Sequence, residues 1–219
     1  NNPIWTNDGI DRIKQLVNNN NLTLHALCND YIVEHTLLDE DVIQQNIDLI
    51  EQGKKLGVEK YIIPLFESSE LTVDNMSNYI NPLRRIAISA RDNNITVCLE
   101  TILTGEELIE LLKLIDIPYV KAVYDTGNRV AFGHNLSKDI RLLGNYIGHV
   151  HIKDKNSGNE NVLLGTGLVN FEQVFYALRD INYDGPFTFE TTRGSSPVET
   201  AKYNMNLVNF FKRNAELNV

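Results

Sequence analysis

The sequence predicts an α/β fold in which parallel strands alternate with helices, and three observations carry that prediction. Short apolar runs rich in β-branched and aromatic residues recur along the chain, each bounded by turn residues. A segment of helical periodicity separates each run from the next, which is the arrangement that yields parallel neighbours through right-handed crossovers. Four of the runs end in a residue type that binds metal: Thr96–Leu99 in Glu100, Lys121–Tyr124 in Asp125, Gly148–Val150 in His151, and Pro186–Phe189 in Glu190.

Parallel strands bring their C-terminal ends to one face. Glu100, Asp125, His151 and Glu190 are therefore expected to converge there as an oxygen-rich site with a single nitrogen. Such a set suits one divalent cation, Mn²⁺, Mg²⁺, Co²⁺ or Zn²⁺. Taken alone, an acid after a strand is ordinarily a helix cap or a solvated loop residue, and a lone histidine is ordinarily a hydrogen-bonded core residue. Repetition at equivalent positions of successive strands is what favours the metal reading.

In chain order, helical spacing runs from Thr6 to Asn18, with Thr6 or Asn7 as cap. Leu22–Cys28 reads as a strand, and His25 within it is a core residue that would touch substrate if it faced the mouth of the site. Asp39–Leu56 is an amphipathic helix stopped by Gly57. Tyr61–Phe66 is the next strand, where Pro64 suggests an edge or irregular position. The polar loop Glu67–Glu70 follows at a C-terminal strand end and is expected to overhang the site. Met76–Asn93 is helical.

After the Glu100 strand, Thr104 and Glu107 form a capping box opening a helix to Leu114. Glu106 is then a first-turn acid or a substrate contact. Thr126-Gly127-Asn128 reads as a tight turn beside the metal, with Asn128 able to donate to and accept from a sugar hydroxyl. Asn135–Leu143 is helical, Lys155–Gly167 is a polar, mobile flap, and Asn170–Ile181 is helical. The loop from Thr191 to Ser196 carries Arg193, a candidate phosphate contact, before a last helix from Pro197 to Lys212.

The bulk numbers fit these elements. A chain of 219 residues suits one domain over residues 1–219, and 42% hydrophobic with 22% charged residues is ordinary globular composition. The net charge of −9 argues against a broad nucleic-acid-binding surface. No apolar run approaches the ~20 residues of a membrane span, and the first residues lack a signal-peptide pattern, so a cytoplasmic setting is expected. Cys28 and Cys98 read as small buried hydrophobes of a reducing compartment. Homo-oligomer formation is compatible with the sequence.

Leu99-Glu100-Thr101, Tyr124–Asn128, His149–Asp154, Gly165-Thr166-Gly167 with Phe171, and Phe189-Glu190 together resemble the xylose-isomerase-like TIM-barrel superfamily, closest to its sugar-phosphate branch of L-ribulose-5-phosphate 3-epimerases and ketose 3-epimerases. Leu27–Tyr31 looks like that branch's third-strand segment. The resemblance implies a TIM (β/α)8-type barrel. Six strands are counted here, so two would precede Asn1 and the chain would be N-terminally incomplete relative to the family. It also implies that Glu100, Asp125, His151 and Glu190 hold one divalent metal. The two glutamates would flank the carbon of a sugar or sugar phosphate that loses and regains a proton through an enediolate. Glu106 would touch the sugar, and Lys153 is a further candidate substrate contact. Ketose epimerases carry a histidine where Asn128 stands, which points toward the phosphorylated branch. The alternatives are an inosose-dehydratase-like lyase, an endonuclease IV-like repair enzyme and a catalytically inactive barrel. The acidic balance and only five histidines weigh against the nuclease.

Overall fold

The computed structural model describes residues 2–216. Its residues group into two compact units, Asn1–Thr101 with Glu110–Lys121, and Ile102–Ile109 with Ala122–Val219.

The first unit contains the strands β1 (Ala26–Cys28), β2 (Lys60–Pro64) and β3 (Thr96–Glu100). They run parallel, with Leu27 opposite Tyr61, Tyr61 opposite Val97 and Pro64 opposite Glu100. Its helices are α1 (Asn7–Asn19), α2 (Tyr31–Glu34), α3 (Glu40–Leu56) and α4 (Met76–Asp92). Thr6 caps α1 by accepting the Gly9 N–H at 3.1 Å. Gly57 ends α3 at φ +79°, a backbone conformation that costs glycine nothing.

The apolar stripes of α3 and α4 are buried, including Val42, Ile50, Leu83 and Ile86. One polar knot lies among them. Buried Asn46 accepts from the Tyr61 hydroxyl at 2.8 Å and from Asn29 at 3.1 Å, and its own amide donates to the Val42 carbonyl at 2.7 Å. A buried polar side chain satisfied in this way stabilises the packing instead of opposing it.

Four expectations change here. β1 is three residues long, not seven, because its ladder with β2 begins at Ala26. Pro64 is the last residue of a strand paired on both sides; it lies past the final pair with β1, Cys28 with Ile62, so its missing N–H is tolerated there. The segment Glu67–Ser69 is a short 3₁₀ turn and not an irregular loop. Its Ser69 is fully buried, donating to the Ile32 carbonyl at 2.7 Å and accepting the Leu37 N–H at 2.8 Å. Cys28 is exposed, with its thiol donating to Asp30 at 3.2 Å, whereas Cys98 is buried as expected.

The second unit contains β4 (Val120–Asp125), β5 (Ile147–Ile152) and β6 (Phe187–Phe189), again parallel. The register slips by one residue between Ala122 and Val123, and from there Asp125 faces His151 and His151 faces Thr188. α5 (Gly105–Ile115) opens in this unit, followed by α6 (Thr126–Ala131), α7 (Leu136–Leu143), α8 (Phe171–Asp180) and α9 (Pro197–Asn214). The capping box at α5 forms as expected: the Thr104 N–H donates to Glu107 at 2.8 Å and the Glu107 N–H to the Thr104 hydroxyl at 3.3 Å. Rings of Phe171, Phe175, Phe187 and Phe211 pack α8 and α9 onto β6, with centroids 5.4–6.2 Å apart.

The loop after β5 is not a free flap. Asp154 is fully buried, and its carboxylate accepts the N–H groups of Gly165 and Gly167 at 2.9 Å each and of Val169 at 3.0 Å. A Cβ at Gly167 would lie 2.3 Å from that carboxylate, so the glycine is required by the close approach. Among the described residues, no helix is long and apolar enough to cross a membrane.

Candidate metal centre

Asp125 ends β4 and starts α6, and its two oxygens turn to different partners. Oδ1 caps the helix by accepting the Asn128 N–H at 2.7 Å. Oδ2 turns the other way, 3.1 Å from Lys153 Nζ and 3.8 Å from His151 Nδ1. The segment Thr126–Asn128 is thus the first turn of a helix and not an isolated tight turn.

His151 stands beside Asp125 in register and is 5% exposed. Its Nδ1 lies 3.1 Å from Glu190 Oε2. The ring of His149, fully buried, packs edge-on against it with centroids 5.2 Å apart, and His149 Nε2 shares a hydrogen bond of 2.9 Å with the Thr188 hydroxyl. β6 delivers Glu190: its N–H continues the ladder by donating to the Ile152 carbonyl at 3.1 Å. Its side chain is half exposed, which leaves this acid the solvent-facing member of the group.

Lys153 completes the cluster. Although only 5% exposed, it carries its ammonium to 3.1 Å from Asp125 Oδ2 and 3.0 Å from Glu190 Oε1. The electrostatics follow from this crowding. Burial pushes the Asp125 carboxyl up, and the Lys153 charge only partly opposes it. Burial would likewise raise Glu190, but the His151 and Lys153 contacts outweigh it and hold this carboxyl down at about 2. For Lys153, burial works against the charge, and Asp125 and Glu190 overcome it to keep the ammonium above its usual range.

The ligand atoms of Asp125, His151 and Glu190 lie within 4.8 Å of one another. Two ligands of one ion, each at about 2.0–2.6 Å, can be no further apart than about 5 Å. Two carboxylates and one imidazole at that spacing suit a divalent cation in both geometry and donor chemistry.

The remaining sequence candidates fall as follows. Glu100 is the buried last residue of β3 in the first unit. Asn128 is in the first turn of α6, joined to Asp125. Glu106 is exposed in the first turn of α5. Arg193 is exposed in the loop after β6. His25 is displaced from the expectation: it precedes β1, its carbonyl accepts from Glu59 and Lys60 at the N-terminal end of β2, and its ring lies 3.6 Å from Glu59. Parallel pairing puts that end opposite to the one bearing Glu100, so His25 does not share its face. Thr126, Thr188 and Asp154 escaped the sequence reading as positioning residues. For Thr126 a signal existed, a β-branched hydroxyl directly after a candidate ligand.

The sequence profile described as the xylose isomerase-like TIM barrel matches residues 2–212. An L-ribulose 3-epimerase of Methylomonas sp. is 31% identical over 126 residues, 54% of this chain and 43% of the relative. An inosose dehydratase of Clostridium tetani is 26% identical over 181 residues, 72% of this chain and 60% of that protein. The chain thus spans less than two thirds of the length of these relatives. A crystal structure of a xylose isomerase domain protein from Planctomyces limnophilus superposes with a TM-score of 0.84 at 17% identity, over 96% of this chain and 85% of that one. With its parallel strands, intervening helices and this profile match, the chain belongs to the xylose isomerase-like TIM barrel family.

Proposed function

We propose that the chain is a divalent-metal-dependent epimerase or isomerase of a sugar or sugar phosphate, working by proton transfer next to a carbonyl. The observation that carries this reading is the approach of Asp125, His151 and Glu190 to within 4.8 Å at the ends of successive parallel strands. Glu100, which ends β3 as Asp125 ends β4, is the proposed fourth ligand. A bound divalent cation would supply Lewis acidity toward a carbonyl oxygen and its neighbouring hydroxyl.

The protein's own groups do the rest. Glu190 is the half-exposed acid of the group, so a substrate can reach it and it can accept a proton from the carbon beside the carbonyl. Glu100, protonated at the start of the turnover, would give its proton to the opposite face of the enediolate, which inverts the carbon and leaves Glu190 as the protonated acid; delivery to the adjacent carbon would isomerise the sugar. Asn128, joined to Asp125 through its N–H, is the proposed contact to a sugar hydroxyl. Glu106 is a candidate second sugar contact, and exposed Arg193 a candidate for a phosphate group. Elimination of water is the second reading. It is favoured by the match to the Clostridium tetani inosose dehydratase across 72% of this chain.

The test is metal content by elemental analysis after dialysis, for the wild type and Glu190→Gln, followed by exchange of solvent deuterium into ketose sugars and their phosphates. About one ion in the wild type, reduced in the variant, with deuterium entering next to the carbonyl, is the expected result. No retained metal after supplementation with Mn²⁺ would sink the proposal.

A further inference from the structure

We infer that Lys153 is a tethered cation that competes with a divalent metal ion for the carboxylates of Asp125 and Glu190, and so sets how tightly the site binds metal. The inference rests on the metal-site reading above and adds a residue that works against the ion. The ammonium reaches Asp125 Oδ2 at 3.1 Å and Glu190 Oε1 at 3.0 Å, and both carboxylates are candidate ligands. An ammonium at hydrogen-bond distance from a carboxylate takes up lone pairs that an ion would use, and it repels the incoming charge.

Its position is built in. The Thr126 hydroxyl donates to the Lys153 carbonyl at 2.6 Å and accepts its N–H at 3.0 Å, which fixes the backbone. The aliphatic stem lies against the backbone of Gly127, where a Cβ would come within 2.6 Å of Lys153 Cγ. A lysine held at both its backbone and its stem, and 5% exposed, is directed at these two acids and is not a solvated side chain that happens to touch them.

Among the described residues, the charged and titratable groups close to the ammonium include Asp125, Glu190 and the His151 imidazole that contacts both acids. When the charge is removed, the carboxylates are left to the ion alone. Lys153→Met and Lys153→Gln are both therefore expected to bind Mn²⁺ at least tenfold more tightly than the wild type near neutral pH, measured by titration calorimetry on the full chain stripped with chelator. In chelator, both variants should also melt at a lower temperature, with a larger upward shift on adding Mn²⁺. A lysine that merely supports the fold would give weaker metal binding on removal. Asp125→Asn serves as the reference that loses the ion. Wild-type binding that both neutral variants leave unchanged or weaken overturns the competition while leaving the metal site standing. No Mn²⁺ binding by the wild type or by either variant overturns both readings together. Binding that emerges only in the variants supports the competition and overturns the metal-dependent activity proposed for the wild type.

Discussion

One hydroxyl fixes the backbone of Lys153. Thr126 Oγ1 donates to the Lys153 carbonyl at 2.6 Å and accepts the Lys153 N–H at 3.0 Å, so the first turn of α6 is bonded to the chain just beyond β5. Thr126 is completely buried, so bulk solvent does not reach those bonds. Thr126→Val keeps the shape and removes both, leaving a buried donor and acceptor unsatisfied at about 1–3 kcal/mol. The variant is expected to unfold at lower denaturant with an unchanged slope. An unchanged midpoint would show that the hydroxyl contributes nothing.

The same logic applies more strongly to Asp154. Its carboxylate collects three backbone N–H groups from Gly165, Gly167 and Val169. Asp154→Ala strands all three donors, and a loss of about 3 kcal/mol or more is expected from bonds to a charged acceptor. Limited proteolysis should then cut within residues 155–167 much faster than in the wild type. Equal cutting rates would restore the picture of a free flap.

That loop also shows how much the sequence could tell. The strand-end positions of Glu100, Asp125, His151 and Glu190 were legible because period and position repeat: an apolar run, then a ligand-type side chain, four times over. The helices were legible from spacing and caps, Thr6 and the Thr104–Glu107 pair above all. The glycines of Gly165-Thr166-Gly167 carried a second meaning that composition alone could not separate from mobility. They are there because Asp154, 11 and 13 residues earlier, needs backbone N–H groups at contact distance. His25 misled for a related reason. A strand pattern from Leu22 gives no sign of where the ladder begins, and pairing starts only at Ala26. Lys153 was visible as a candidate contact, but its placement between two acids follows from the β4–β5 register, which one sequence does not print.

Acid sensitivity should have a traceable component at α7 and α8. Arg141 donates to Asp180 at 2.7 and 2.9 Å, and with Arg179 it holds the Asp180 carboxyl below the usual carboxylate range. An acid depressed in the folded state stabilises the fold above its unfolded value of about 4 and loses that contribution as pH falls through its folded value. Arg141→Met should therefore lower stability at pH 7 by under about 1 kcal/mol, as is usual for exposed pairs. The deficit should shrink toward zero in strong acid. A deficit of the same size at pH 7 and pH 2, followed by thermal melts, would contradict the assignment.

Thiol chemistry separates the two cysteines. Burial pushes the Cys98 thiol up to about 12, whereas Cys28 is exposed at the end of β1. Thiolate is the reactive form, so at pH 8 a disulfide reagent should titrate one thiol in the native protein and the second only on unfolding. Cys28→Ser should abolish the native reaction. Two equally fast thiols in the folded wild type would contradict the burial of Cys98.

The largest single effect on stability outside the candidate metal centre is expected at Arg129 and Asp139. Both are buried, at 2% and 7% exposure, with Arg129 Nη1 3.5 Å from Asp139 Oδ2 and 2.6 Å from the Leu103 carbonyl it donates to. The guanidinium also lies over the Tyr124 ring at 5.5 Å from its centre. Removing one member leaves the other as an uncompensated charge out of water. Asp139→Ala is therefore expected to cost about 3–5 kcal/mol. Replacing both, as in Arg129→Met with Asp139→Leu, removes the stranded charge and should recover much of that loss. A double variant as unstable as the sum of the singles would show that the two charges do not act as a pair, and the carbonyl of Leu103 would then be the partner that matters for Arg129.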